Sequence, residues 1–334
     1  MSEQLADLPI VEELGAQLVA GFRRRERGGL CRPAARIAVL AAAAALGAGV
    51  VLLTQLGGGG PSAASAAQVL QTAARAAAAW PAHLAKPRQF FFVRWRTSVL
   101  LPIRRGATGL VPLKAFYGPH ALVTIEEWNS WSFTRKGRTQ TRVLGVSFPT
   151  AASRARWVAI GRPALYRGLV VVTRPQVIAP LGANAEIIAI GARGFTARQL
   201  LALPTKPKRL YRRVFESASA AQALDAVRTL DLYPIGPSLR AASFRALAMV
   251  RGIVVAGPAR SLTGRSGVAL GARDPSGTVE DELIIDPRSG AVLGERSITI
   301  DSRSDGLPLG TVRFQTAVIT RTVTNAAGLP RHHH

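Results

Sequence analysis

Two groups of carboxylates are best suited by type and spacing to chemistry. Glu126 and Glu127 are neighbours in a strand-forming segment. The second group flanks a predicted hairpin and consists of Glu280, Asp281, Glu282 and Asp286. Successive strand residues point to opposite faces, so Glu126 and Glu127 are not expected to form a general acid and base pair. For the second group we prefer a solvated strand edge that discourages pairing, with a calcium site as the alternative.

Other catalytic and cofactor patterns are missing from the sequence. Its histidines are His83, His120 and the terminal run at 332–334, and no cysteine or carboxylate cluster accompanies them. No glycine-rich phosphate loop or serine nucleophile elbow occurs, and Gly57 to Gly60 is a linker. We therefore predict a protein that is not an enzyme, with no catalytic residue, cofactor or metal.

Trp128 and Trp131 follow the glutamate pair closely. Two interpretations stay open for them. They line a groove for a lipid or glycan, or they pack in the core, which is the commoner role of tryptophan in a strand.

A twenty-residue run without charge, residues 37–56, predicts a membrane-spanning helix of roughly 30 Å. Arginines precede it and four glycines follow, which places the N-terminus in the cytoplasm and the rest outside the membrane. A cleaved signal with its cleavage site at Ala64-Ser65-Ala66 is the alternative. The apolar positions that define the span are Ile37, Leu40, Leu46, Val50, Leu53 and Leu56.

Residues 1–36 predict a cytoplasmic amphipathic tail. Its apolar residues recur every three or four positions and share one helix face: Leu8, Val11, Leu14, Leu18 and Phe22. This face needs a cover, either the inner membrane surface or a partner protein. Cys31 is the single cysteine, so no disulfide forms within one chain.

The charge of the chain is strongly positive, with 43 Lys and Arg against 19 Asp and Glu and a net charge of +24. Beyond residue 36 there are 37 basic and 14 acidic residues. A basic domain outside the membrane attracts anionic lipid headgroups and envelope polymers, whereas nucleic acid lies on the other side. The simpler alternative is an arginine-rich solvated surface, because the cations are spread along the chain.

The remaining sequence predicts an α+β domain. Residues 57–80 form a linker and a short helix, residues 81–330 the extracytoplasmic domain, and residues 331–334 a disordered tail. Aromatic and β-branched residues predict strands at 89–101, 121–133, 139–148, 156–160, 169–173 and 187–190. Apolar periodicity predicts helices at 196–203, 207–215, 219–230 and 237–250. Leu239, Phe244, Leu247 and Met249 are the expected core contacts of the last one.

Two Asp-Pro turns, Asp274 to Gly277 and Asp286 to Gly290, divide the C-terminal region. They predict a four-stranded antiparallel meander at 267–272, 279–285, 291–300 and 311–324. In its last strand, Val312, Phe314 and Val318 are expected on a buried face, and Arg313, Gln315 and Arg321 on a wet one.

Several short motifs resemble an uncharacterised actinobacterial family of single-pass membrane proteins. They are Leu203-Pro204-Thr205 before Leu210-Tyr211-Arg212, Phe244 to Ala248 before Gly252, Gly264 to Val268, and Asp286 to Gly290 with Leu293 to Arg296. The resemblance implies a short cytoplasmic tail, one span and an extracytoplasmic α+β domain, often encoded beside extracytoplasmic-function sigma factors. It implies no catalytic residue. By analogy of architecture, the domain is similar to lipoprotein carriers: a curved antiparallel sheet with helices on one face.

Two functions fit these features. The first is a regulatory or sensory envelope protein whose tail binds a sigma factor. The second is a carrier or binding module for lipid or another envelope ligand, anchored to the membrane. The sequence identifies neither the ligand nor the partner.

Overall fold

A large antiparallel sheet organises the part of the chain that the computed structural model describes, namely residues 63–80, 86, 88–102, 120–162, 175–181, 188–302 and 307–326. The strands of the first half are β1 (Phe90–Pro102), β2 (His120–Trp131), β3 (Gly137–Ser147), β4 (Gln176–Ile178), β5 (Ile188–Ile190) and β6 (Arg193–Phe195). Those of the second half are β7 (Val254–Arg260), β8 (Ser266–Arg273), β9 (Val279–Asp286), β10 (Ala291–Thr299) and β11 (Val312–Thr324). Nine of them form one sheet in the order β4-β3-β2-β1-β11-β10-β9-β8-β7, and β5 pairs with β6 separately.

The helices are α1 (Ala63–Ala78), α2 (Ala151–Ala159), α3 (Ala197–Leu201), α4 (Pro207–Leu210), α5 (Ala220–Leu232) and α6 (Pro237–Leu247). A π-helical turn, Tyr211–Phe215, continues α4. Thr196 and Ser219 begin α3 and α5 with capping boxes, in which each side chain accepts a hydrogen bond from a glutamine N–H three residues on. The predicted α+β class is confirmed.

Helices α1 and α3 to α6 pack on one face of the sheet, and the main core lies between the two layers. Leu224, Val227 and Leu230 of α5 are buried there, as their spacing predicts. The strands contribute Leu270, Leu283, Ile285 and Val292. We call the opposite side of the sheet the second face.

The two Asp-Pro turns form as predicted. The Asp274 carboxylate accepts a hydrogen bond from the Thr278 N–H at 3.0 Å, and the Asp286 carboxylate accepts one from the Arg288 N–H at 2.9 Å. The four predicted strands of the meander correspond to β8, β9, β10 and β11. Sequence reasoning missed β7, because Gly257 and Pro258 interrupt its pattern. Gly257 has a positive φ of 124° beside a register shift, and β7 lies at an edge of the described sheet, where proline is tolerated.

The strand predicted at 156–160 and the core position predicted for Met249 are both wrong. The strand predicted at 156–160 is instead the end of α2. The Thr150 side chain accepts a hydrogen bond from the Ser153 N–H and starts that helix, which overrides the β propensity of Trp157 and Val158. Met249, expected in the core, lies in the turn after α6 and is 41% exposed.

Arg321 does not lie on the wet face predicted for it. The pairing of β1 with β11 shifts by one residue, since Trp95 pairs with Val318 and Arg94 with Thr320. A β-bulge reverses the alternation of every residue beyond it. Arg321 therefore lies opposite Val93 and faces the helices, where it forms an ion pair with Asp231.

The predicted strand 169–173, the tail and the span residues lie outside the described residues. None of the helices within the described ranges is long and apolar enough to cross a membrane.

We predict that Gly290→Ala destabilises the protein more than Gly277→Ala. Both glycines have left-handed backbones, with φ of 66° and 69°, which cost other residues roughly 1–2 kcal/mol. A Cβ at Gly290 would also lie 2.5 Å from the Ala73 carbonyl oxygen in α1, whereas a Cβ at Gly277 meets no atom within 4 Å. Circular dichroism should show that the midpoint of thermal unfolding falls by about 2–4 °C for each kcal/mol of destabilisation. Gly277→Ala is the control, because its shift reports the backbone cost alone. Equal losses would contradict the close packing of this turn against α1.

Candidate ligand-binding surface

One buried carboxylate, that of Glu126, forms ion pairs with three arginines on the second face. Arg94 and Arg96 come from β1, and Arg142 comes from β3. The Nη2 atoms of Arg94, Arg96 and Arg142 lie 2.8, 3.2 and 3.3 Å from its carboxylate oxygens. We call these four residues the arginine cluster.

Strand register explains this geometry. Glu126 of β2 pairs directly with Arg96 on one side and with Arg142 on the other. Arg94 is two residues from Arg96, so both side chains point to the same face. Glu127 points to the other face, where its carboxylate accepts a hydrogen bond from the Trp95 indole at 2.9 Å. The two glutamates therefore do not act as a pair, in agreement with the alternation that the sequence predicts.

The charge of the arginine cluster is unbalanced, with three cations and one anion. Burial acts to raise the pKa of Glu126, but the hydrogen bond and charge of Arg94, with the help of Arg96 and Arg142, hold this pKa below its usual value. Glu126 is therefore ionised at neutral pH, and two positive charges remain in excess. Three guanidinium groups carry about fifteen N–H donors, whereas one carboxylate has about four lone-pair sites. The Arg142 side chain is 67% exposed, so part of this donor surplus faces solvent.

Polar and aromatic residues extend the second face on both sides of the cluster. The Trp128 indole donates a hydrogen bond to Gln140 at 3.0 Å, and its ring lies 6.0 Å from that of Phe92. In the next row, the hydroxyls of Ser98 and Thr124 are hydrogen-bonded at 2.9 Å.

The two tryptophans pack on opposite faces. Trp131 faces the helices and stacks between Trp95 and Tyr233, at 6.3 and 5.5 Å between ring centroids. Trp128 is 7% exposed on the second face. Neither lines an open groove in the described structure, and packing is the role that their contacts define.

A pocket of about 550 Å³ lies where β3 leads into α2. The Phe148 and Trp157 rings, 5.1 Å apart, form one wall, and Arg154 supplies a cation at its rim. The remaining lining residues are Val146, Pro149, Thr150 and Ala151. Five of its seven lining residues are exposed, so the pocket is an open depression with two aromatic rings and one cation.

The C-terminal carboxylates are not at a sheet edge, so that prediction is wrong. Their strand, β9, lies between β8 and β10 and is paired on both sides. Glu282 is buried and bound to Arg296 at 2.5 Å, Asp281 contacts the Ser297 hydroxyl, and Asp286 caps its own turn. Within the described ranges, no three His, Cys, Asp or Glu residues are grouped as a metal site would require.

Two ion-pair groups join the helices to the sheet and are structural. Asp231 of α5 contacts Arg240 of α6 at 2.9 Å and Arg321 of β11. Arg228 of α5 contacts Glu295 of β10 at 2.9 Å. Burial raises the pKa of Glu295 to about 8, although the charge of Arg228 opposes this change.

Comparison with known proteins gives little likeness. No family model and no curated relative matches the chain. One solved structure, "The complex structure of Pseudomonas aeruginosa MucA/MucB", is similar with 12% identity and a TM-score of 0.20, covering 80% of this chain and 59% of that one. The chain thus spans about three fifths of the length of the structure it matches. At this level the likeness assigns neither a family nor a partner.

We predict that the contribution of Glu295 to stability is lost as pH rises from about 4.5 to about 8. The pKa of Glu295 is about 8 in the folded protein and about 4.5 in the unfolded chain. Between pH 4.5 and pH 8 the folded protein therefore keeps a proton that the unfolded chain has released. Bound protons then favour folding at low pH, and this contribution is lost as pH rises. Glu295→Gln should flatten the change in unfolding midpoint across this interval, whereas exposed Glu216→Gln should not. An unchanged slope in Glu295→Gln would contradict the shifted pKa.

Proposed function

We propose that this chain is a non-catalytic, single-pass regulator of the bacterial envelope, whose outer domain binds an anionic ligand and whose tail acts on a cytoplasmic partner. The ligand half of the proposal depends on one observation, the two excess positive charges of the arginine cluster. The tail half depends on the amphipathic pattern of residues 1–36 and on the resemblance to proteins encoded beside sigma factors.

The arginine cluster favours an anion because Glu126 already fixes its guanidinium groups. Arg94 and Arg96 are only 23% and 33% exposed, so ordering them for a ligand costs little side-chain entropy. Guanidinium groups bind carboxylates and phosphates through paired, charge-assisted hydrogen bonds. A ligand with such a group would also balance the excess charge. We therefore assign a carboxylate or phosphate to the ligand.

The second candidate function is a membrane-anchored carrier of lipid or a similar envelope ligand. The pocket between β3 and α2 favours it, because Phe148 and Trp157 offer an apolar wall and Arg154 a cation for a headgroup. This pocket and the arginine cluster contain different residues, so substitutions separate the two candidates.

We expect an anionic ligand to copurify with the full-length protein from its host membrane and to be lost in Arg94→Gln/Arg96→Gln. Each lost charge-assisted hydrogen bond contributes roughly 1.5–3 kcal/mol, so the affinity should fall at least about a hundredfold. Native mass spectrometry in detergent measures the bound mass. The control Arg245→Gln/Arg251→Gln removes two exposed cations elsewhere and should keep the ligand.

Other outcomes of this experiment decide between the candidates. A bound lipid that survives Arg94→Gln/Arg96→Gln but is released by Trp157→Ala would support the carrier. Wild-type protein without any bound mass would contradict a tightly bound ligand at either place.

We expect the tail to capture a cytoplasmic sigma factor when the two proteins are coexpressed. Leu14→Asp/Leu18→Asp places charges on the apolar face and should abolish capture, since that face would bury both leucines. Glu12→Gln/Glu13→Gln changes the same tail without altering its apolar stripe and should retain capture. Absence of capture by the unaltered tail would remove the sigma factor from the proposal.

A further inference from the structure

The segment from α3 to the end of the π-helical turn has a strongly cationic outer surface. Residues 197–215 contain no acidic residue. Their cations are all exposed: Arg198, Lys206, Lys208, Arg209, Arg212 and Arg213. We call these six residues the basic segment. In the described part of the chain none of them forms a salt bridge, and Arg213 only lies over the Phe195 ring at 5.6 Å.

The apolar residues of the same segment fix which side points outward. Leu200, Leu210, Val214 and Phe215 are buried in the main core. Because these residues hold the helix turns against the rest of the helical layer, the cations between them must project into solvent. The six cations therefore lie on the outer side of a segment whose apolar residues are anchored in the core.

This surface is unfavourable for the isolated domain. Lys208, Arg209, Arg212 and Arg213 lie within one α-helical turn and the π-helical turn that follows it, and like charges so close to one another repel. The chain also makes a π turn there, in which the Glu216 N–H donates to the Tyr211 carbonyl at 3.0 Å. Such turns are rare and occur frequently at functional sites. A surface that repels itself is stabilised by an anionic partner.

We propose that the basic segment docks the domain on an anionic phospholipid surface. The occupant follows from charge complementarity and from chain length. If residues 37–56 span the membrane, as the sequence predicts, only residues 57–62 separate the span from α1. Six extended residues reach about 20 Å, so the domain stays close to the membrane surface. Anionic headgroups are then the polyanion present at the highest local concentration. This proposal depends on the predicted span and not on the ligand of the arginine cluster.

The test places full-length protein in lipid nanodiscs. Cys31→Ser/Thr205→Cys provides one labelling site beside the cations, because Thr205 is exposed. A dye at position 205 is quenched by lipids that carry a nitroxide in the headgroup. Quenching should be strong in discs with phosphatidylglycerol and weak in discs of phosphatidylcholine alone. It should disappear at about 1 M salt, where the Debye length is about 3 Å.

Charge reversal supplies the control. Arg209→Glu/Arg212→Glu should lower the docked fraction at least about tenfold in anionic discs, since each cation near such a surface contributes to binding. Arg156→Glu/Arg260→Glu makes the same change of charge on α2 and β7 and should leave docking nearly intact. Circular dichroism confirms that each variant is folded. The proposal would be overturned if quenching did not depend on lipid charge. It would also be overturned if both charge-reversal variants lost the same docked fraction.

Discussion

The two-layer structure depends on the ion pairs formed by one buried carboxylate, that of Asp231. It lies at the end of α5 and contacts Arg240 from α6 and Arg321 from β11, so one side chain joins two helices and the sheet. Removing one partner of a buried ion pair costs roughly 3–5 kcal/mol, because a charge is left without compensation. The Trp80 ring, at the end of α1, lies 4.9 Å from the Arg240 guanidinium and attracts its remaining charge. The main elements of the helical layer are thus fixed around one anion.

The ion pairs of the helical layer and the arginine cluster differ in their balance of charge. Arg228 forms an ion pair with the half-exposed Asp225 and contacts Glu295, and Asp231 lies between two arginines, so each ionised group of these clusters has an opposite partner. On the second face the balance is lost, because Glu126 has three cations. The same ion-pair chemistry therefore serves stability in the core and leaves binding capacity on the surface.

Residue patterns predicted the parts of the fold that local interactions determine. The strands β1, β2 and β3 follow from β-branched and aromatic runs, and the turns at Asp274 and Asp286 follow from side-chain hydrogen bonds to nearby backbone. Nonlocal interactions limited the rest. The bulge that turns Arg321 inward arises from the pairing of β1 with β11, which lie more than two hundred residues apart. The partners of Glu126 are likewise 16 to 32 residues away in sequence. The arginine cluster therefore could not be predicted without the strand register.

The positions of the two basic surfaces constrain any mechanism. The basic segment belongs to the helical layer, since α4 and the π-helical turn pack against α6. The arginine cluster lies on the second face, on the other side of the sheet. If the helical layer docks on the membrane, the arginine cluster faces away from it. A ligand of the cluster would then approach from the envelope, whereas a lipid carried from the bilayer would need a pocket near the membrane side. Membrane docking and sensing of an envelope anion are therefore compatible in one domain, because the sheet separates them.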